Sequence, residues 1–110
     1  MRIAGIGCRP GTPPEILAAV IMGAGAAALA TIPAREAELR PVATLLNLPL
    51  HLVEVAGVAT PTRSPRVLDT FGTGSVAEAA AIAASRDRGG RLIQPRQAFG
   101  PVTIAIAEVP

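Results

Sequence analysis

Two glycine-rich segments hold the residues whose types and spacing could do chemistry. The first runs from Gly5 to Thr12 (GIGCRPGT), and the second runs from Gly72 to Ser75 (GTGS). Each precedes a predicted helix, and a helix N-terminus favours anions through its free N–H groups and positive dipole end. Arg9 adds a full positive charge to the first segment. The pattern therefore predicts two turns suited to carboxylates or phosphates, unless the glycines only make tight turns.

The hydroxyl and carboxyl residues beside these turns have the spacing of helix caps. Thr12 and Glu15 form one capping-box pair, and Ser75 and Glu78 form another. Capping explains Ser75 better than a nucleophilic role, because the sequence signals no His near it. Glu78 is predicted to complete the second box, although a carboxylate exposed at a cleft could also act as a base.

Cys8 and His51 are the remaining candidates for catalysis or metal binding. Cys8, the single cysteine, lies beside Arg9 and ahead of a helix, which predicts a lowered thiol pKa and excludes an internal disulfide. His51 lies in an apolar run, where a packed histidine is expected rather than a ligand. Pro10 stands where a dinucleotide-binding turn has its third glycine, which disfavours NAD or FAD. We therefore expect no metal and no cofactor.

The hydrophobic periodicity predicts how the elements position these residues. Strands are predicted at 3–6, 27–32, 50–53, 91–93 and 102–107, and helices at about 13–22, 37–46 and 75–85, with a surface loop at 56–65 and a short helical turn near 65–71. Pro41 suggests that the second helix begins near Arg40, and Asn47 suits the left-handed position after it. Gln94 to Gly100 is predicted to be a polar loop, from which Arg96 could reach a carboxylate. This order predicts a single α/β domain over 1–110, a three-layer α/β/α arrangement with a mixed, mainly parallel sheet of about five strands.

Composition excludes several functional classes. Half of the 110 residues are apolar, the ten basic residues are all arginines scattered along the chain, and aromatics are 2%. Nucleic-acid binding would need clustered charge and stacking aromatics. The apolar stretch from Ile16 to Ile32 is too short and glycine-broken for a membrane span, and no signal peptide is recognisable. We therefore expect a cytoplasmic protein that binds neither nucleic acid nor membrane.

Three segments taken together resemble the CobE and CbiG C-terminal family of cobalamin-biosynthesis proteins. They are Gly5 to Pro13, Gly72 to Ala81, and Pro95 to Gln97 followed by Val102 to Ala107. The resemblance covers essentially the whole chain, although Thr31 to Val58 matches only in outline. It departs from the family at Arg96, where a lysine is common, and at Pro33 to Arg35, where an Asp and a Lys are common.

The resemblance implies a ligand and a set of binding residues. The ligand would be a precorrin or cobalt-precorrin tetrapyrrole near the ring-contraction stage, whose acetate and propionate carboxylates suit the arginines and helix N-termini. The residues predicted to bind it are Gly7, Cys8, Arg9, Gly11, Thr12, Gly72, Thr73, Gly74, Ser75, Glu78 and Arg96. Other cobalamin-pathway enzymes are expected partners.

Two alternatives stay open within the same resemblance. One is a cobalt-precorrin-5A lactone hydrolase, with Glu78 activating water and helix N–H groups stabilising the oxyanion. The other is a structural partner domain for another pathway enzyme. Because CbiG proteins carry a further N-terminal region, the resemblance favours a binding role over independent hydrolysis.

Overall fold

A computed structural model describes all residues from 1 to 110. The strands are β1 (Arg2–Cys8), β2 (Ala28–Thr31), β3 (Leu50–Leu52), β4 (Arg91–Phe99) and β5 (Val102–Glu108). The helices are α1 (Pro14–Met22), α2 (Glu36–Leu46), α3 (Pro65–Phe71) and α4 (Val76–Ser85), with 3₁₀ turns at Pro33–Arg35 and Arg86–Arg88. The predicted number and order of strands are confirmed.

The five strands form one mixed sheet in the order β3-β2-β1-β5-β4. The β1–β2 and β2–β3 pairs are parallel, whereas β1–β5 and β4–β5 are antiparallel. The sheet is therefore mixed, as predicted, but only half of its pairings are parallel. The reason is that β4 and β5 form a hairpin, and strands joined by a tight turn must run antiparallel.

Helices cover both faces of the sheet, which confirms the three-layer arrangement. On one face α1 and α2 pack large aliphatic side chains, including Leu17 and Leu39, against Ile6, Leu29 and Ile106. The core on the other face combines α4 alanines such as Ala79 and Ala80 with strand residues of β1 and β2. The two faces thus differ in side-chain size, and α4 lies closer to the sheet.

Gly5 makes this close approach of α4 possible. It is buried in the middle of β1, and a Cβ atom there would collide with the Ala77 carbonyl oxygen and lie 2.6 Å from the Ala81 nitrogen. Gly5 and Gly7 therefore belong to a strand rather than to a turn. The first turn is correspondingly shorter than predicted, and it begins after Cys8.

The predicted N-cap of α1 is wrong. The helix begins at Pro14, with Pro13 at the N-cap position and no side-chain cap. Both prolines are compatible with a helix start, and the second one occupies the first helical position. The Thr12 hydroxyl instead donates a hydrogen bond to the Arg9 carbonyl, 2.7 Å away, and so holds the turn itself.

Helix α2 begins earlier than Pro41 suggests. It starts at Glu36, after the 3₁₀ turn, and Pro41 lies inside it. Pro41 has no N–H to donate to the Ala37 carbonyl. Ala37 is exposed, so water can donate to that carbonyl instead. At the other end Asn47 adopts the left-handed conformation with φ 54°, as predicted.

The predicted polar loop before the last strand is also wrong. Residues 94–99 belong to β4, an edge strand that tolerates Pro95 and contains two register shifts against β5. The connection shrinks to Gly100 and Pro101, with Gly100 at φ 60°. Polar composition suggested a loop because most of these side chains are exposed at the sheet edge.

The stretch from Ile16 to Ile32 is divided between α1, a turn and β2. None of the helices combines the length and hydropathy that crossing a bilayer requires.

Candidate functional site

A cleft of about 380 Å³ opens at the carboxyl end of β1. Its walls come from the end of β1 and the following loop, the 3₁₀ turn before α2, α3, the start of α4, and the β4–β5 hairpin. They are formed by Gly7, Cys8, Arg9, Pro10, Arg35, Ser64, Arg66, Val67, Phe71, Gly74, Ser75, Val76, Arg96, Ala98, Gly100, Pro101 and Thr103. The Arg9 N–H donates to the Pro101 carbonyl at 3.1 Å, which fixes the hairpin turn against the first glycine-rich segment.

Four arginines line this cleft, and no acidic residue does. They are Arg9, Arg35, Arg66 and Arg96. The ion pairs of the protein, Arg2 with Glu108 and Arg40 with Glu36, lie elsewhere, so the four cleft arginines have no carboxylate partner. The cleft is therefore electropositive and open to anions.

Arg35 has a fixed position among these arginines. Its Nε donates to the Cys8 carbonyl at 2.9 Å, and its Nη1 donates to the Ala34 carbonyl at 3.0 Å. It is also less exposed than the other three. These bonds place its positive charge at the end of β1.

The structure brings six of the eleven predicted binding residues into the cleft wall: Gly7, Cys8, Arg9, Gly74, Ser75 and Arg96. The other five, Gly11, Thr12, Gly72, Thr73 and Glu78, do not line it. The N-terminus of α1 is also outside the wall, so of the two helix starts predicted to receive anions only that of α4 borders the cleft. A single cleft thus contains parts of both glycine-rich segments.

The residues outside the wall have structural contacts of their own. The Gly11 N–H donates to Glu38 Oε2 at 3.0 Å, and the Thr73 hydroxyl donates to the Val58 carbonyl at 2.7 Å. Gly72 ends α3 in the left-handed conformation, with φ 72°. These contacts hold the loops beside the cleft.

Ser75 caps α4, as predicted. Its Oγ accepts a hydrogen bond from the Glu78 N–H at 3.3 Å. Just before it, Gly74 packs so closely on the preceding loop that a Cβ atom would lie 2.5 Å from the Thr62 carbonyl oxygen. The second segment therefore starts α4 and also joins it to the 60–64 loop.

Glu78 does not complete the capping box. Its side chain is fully buried, and its carboxylate accepts from the Thr62 N–H at 2.9 Å, the Thr62 hydroxyl at 2.8 Å and the Arg96 N–H at 2.9 Å. No part of it lines the cleft. This geometry does not suit a base, which must reach a substrate or water.

The thiol of Cys8 is less acidic than its neighbours suggested. Half-burial raises its pKa, and this effect outweighs the hydrogen bond with Thr12 and the charge of Arg35, which lower it; the charge of Glu38 raises it further. The prediction of a lowered pKa is therefore wrong. Desolvation at the end of a buried strand is a tertiary effect that the adjacent Arg9 did not reveal.

The described residues contain no group of three or more His, Cys, Asp or Glu side chains that could hold a metal ion. His51 is half-buried on β3, at the edge of the sheet.

Sequence reasoning missed several residues of the cleft, above all Arg35 and Arg66. Arg35 follows β2, which is parallel to β1, and ligand sites in such sheets form where parallel strands end. That rule could have placed Arg35 near Cys8. Arg66 had no comparable signal, because its position depends on how α3 packs against the rest of the fold.

The comparisons with known proteins agree with this architecture. The family model described as "Cobalamin synthesis G C-terminus" matches residues 2–107. No curated protein sequence matches the chain significantly.

Two solved structures are similar over nearly their whole length. One is CobE, a protein from the cobalamin (vitamin B12) biosynthetic pathway, with 31% identity and a TM-score of 0.80, covering 100% of this chain and 91% of that one. The other is the cobalamin biosynthesis protein chiG from Agrobacterium tumefaciens str. C58, with 38% identity and a TM-score of 0.77, covering 99% and 98%. With both the family model and the fold matching from end to end, the chain belongs to the cobalamin synthesis G C-terminal family and is a protein of the cobalamin biosynthesis pathway.

Proposed function

We propose that this protein binds a precorrin or cobalt-precorrin intermediate near the ring-contraction stage, with the carboxylates of the tetrapyrrole in the arginine-lined cleft. The observation that carries the proposal is the set of four arginines that line one cleft without a carboxylate partner. Like charges that share a cleft repel one another, and a polyanionic ligand removes this repulsion. Acetate and propionate side chains supply such charges on one molecule.

The energetics suit a ligand with several carboxylates. A hydrogen bond to a charged group contributes about 1.5–3 kcal/mol, and an arginine can hold a carboxylate through two parallel bonds. Ser75 and Val76 bring the N-terminus of α4 to the same wall, where the helix dipole also favours negative charge. The first segment contributes Arg9 and the end of β1 rather than a second helix N-terminus.

The size and lining of the cleft suit one edge of a macrocycle. Its volume of about 380 Å³ is near the lower end of the roughly 300–1,000 Å³ found for small-molecule sites. The half-buried side chains of Val67, Phe71 and Val76 provide apolar surface for a ring edge beside the arginines. Most of the macrocycle would stay outside the protein, which suits a carrier that passes its ligand to another pathway enzyme.

No observation favours the lactone hydrolase. Its base would be Glu78, which is buried and fully hydrogen-bonded, and no Asp, Glu or His lines the cleft. The protein should therefore release no acetaldehyde from a lactone-bearing cobalt-precorrin. Acetaldehyde release at a catalytic rate would favour the hydrolase.

The direct test is a titration of the purified protein with hydrogenobyrinic acid, a carboxylate-rich corrin, followed by visible absorbance. We expect a saturable spectral change at micromolar protein. Arg66→Gln should weaken binding about tenfold, which corresponds to the loss of one charge-assisted bond. Arg88→Gln removes an exposed arginine outside the cleft and is the matched control, so its affinity should stay within about twofold of wild type. Absence of any spectral change with the wild-type protein would refute the proposal.

A further inference from the structure

Strand β4 is irregular where it borders the cleft. Leu92 and Gln94 are two residues apart in β4, but their partners in β5 are adjacent residues. Gln94 and Gln97 are three residues apart, and their partners in β5 are two residues apart. Each shift inserts one extra residue, which is a β-bulge. Pro95 and Arg96 lie within the second shift and have no register partner in β5. Bulges bend a strand and redirect its side chains, and here the redirected residue is a cleft arginine.

The main-chain N–H of Arg96 is satisfied by a side chain of α4 instead of by β5. It donates to Oε2 of Glu78, which lies in the first turn of α4, at 2.9 Å. This carboxylate is 0% exposed, and it also accepts two bonds from Thr62. Burying a carboxylate without hydrogen-bond partners is strongly unfavourable, so Glu78 needs these donors to remain in the core.

We propose that Glu78 is a positioning residue for the ligand site, because it holds the bulged main chain of β4 and thereby keeps the Arg96 side chain in the cleft. The inference rests on the proposed function, since it assigns Arg96 to ligand binding. Glu78 itself touches no ligand. Through Thr62 the same carboxylate also holds the 60–64 loop, so it links two of the segments around the cleft.

The first test needs no ligand and uses the wild-type protein. Amide hydrogen exchange, followed by NMR, should show the Arg96 N–H protected, although it has no partner in β5. Rapid exchange of this amide at the rate of an unstructured peptide would overturn the inference. This measurement also decides the case if variants of Glu78 fail to fold.

The second test is a double-mutant cycle with hydrogenobyrinic acid as the probe. Arg96→Gln alone should weaken binding about tenfold, and Glu78→Ala alone should weaken it by a similar factor. If Glu78 acts through Arg96, adding Arg96→Gln to Glu78→Ala should cost less than about twofold more. A full tenfold loss from Arg96→Gln in the Glu78→Ala background would show that the two residues act independently and would overturn the inference.

Thr62→Val is the matched control for a merely structural role. It removes one of the three hydrogen bonds to Glu78 and leaves the bond to the Arg96 N–H in place. We expect lower thermal stability with affinity within about twofold of wild type. A loss of affinity equal to that of Glu78→Ala would show that general destabilisation explains both effects.

If the wild-type protein does not bind the probe, the proposed function fails. Protection of the Arg96 amide still decides whether Glu78 holds the bulge.

Discussion

The segments Gly5 to Thr12 and Gly72 to Ser75 both resemble the start of a capped helix. Only the second segment forms one. In the first, Gly5 lies inside β1 and accepts the close approach of α4, and α1 starts without a side-chain cap. In the second, Gly72 ends α3, and Ser75 caps α4. The helix started by the second segment packs on the glycine of the first, so the two segments depend on each other. Two segments with similar local sequences can therefore have different structural roles.

Substitution of Gly5 should have the largest effect. Gly5→Ala places a Cβ atom against the main chain of α4, where neither Ala77 nor Ala81 can move without shifting the helix. We expect a loss of about 3 kcal/mol or more in the free energy of unfolding, measured with urea. Gly11→Ala is the control, because its Cβ meets nothing within 4 Å and only the positive φ of 76° opposes it, at about 1 kcal/mol. Equal costs at the two positions would contradict the distinction between packing and turn glycines.

A substitution of Arg9 tests the role of the first segment in ligand binding without a large change in stability. It is exposed, it lines the cleft, and it has no ion-pair partner. Arg9→Gln should weaken hydrogenobyrinic acid binding about tenfold, while the free energy of unfolding stays within about 0.5 kcal/mol. Unchanged affinity would remove the first segment from the binding site.

Ser75 tests the capping role of the second segment. Ser75→Ala should lower the free energy of unfolding by about 1 kcal/mol and speed hydrogen exchange of the Glu78 amide, which loses its acceptor. Thr12→Val is the corresponding change in the first segment, and it removes the bond to the Arg9 carbonyl and the hydrogen bond with the Cys8 thiol, neither of which involves α1. It should leave amide exchange in α1 unchanged. Faster exchange at the start of α1 would show that Thr12 supports that helix after all.

The smallest effect concerns Cys8. Because burial raises the pKa of its thiol in the fold, the folded protein holds this proton more tightly than the unfolded chain does. The resulting stabilisation is present below the pH at which an ordinary thiol ionises, about 8.5, and is lost as the pH rises through the higher folded pKa. Unfolding followed from pH 7 to pH 10 should show this decline in wild type but not in Cys8→Ser. Alkylation of the folded thiol at pH 8 that is faster than that of a free cysteine peptide would contradict the raised pKa.

Local signals succeeded where the structure depends on near neighbours along the chain. The strand and helix order follows from hydrophobic periodicity, and the Ser75 cap and the left-handed Asn47 follow from residue preference at helix ends. Local reasoning failed where residue preference was compatible with more than one structure. The choice between Thr12 and Pro13 at the start of α1 is one case, and the choice between loop and edge strand after Gln94 is another.

The amino-acid sequence by itself determined the mixed α/β fold, the helix cap at Ser75 and the family resemblance, because these depend on short-range patterns and on segments in a fixed order. Only the tertiary structure decided which residues line the cleft together. Arg35 and Arg66 reach it from separate elements, and the bonds of Glu78 join residues 16 and 18 positions apart in the chain. Whether a carboxylate faces solvent or is buried among donors depends on packing between distant segments, and no local pattern encodes it. The structure thus places Glu78, a predicted site residue, among buried hydrogen-bond donors and not in the cleft wall.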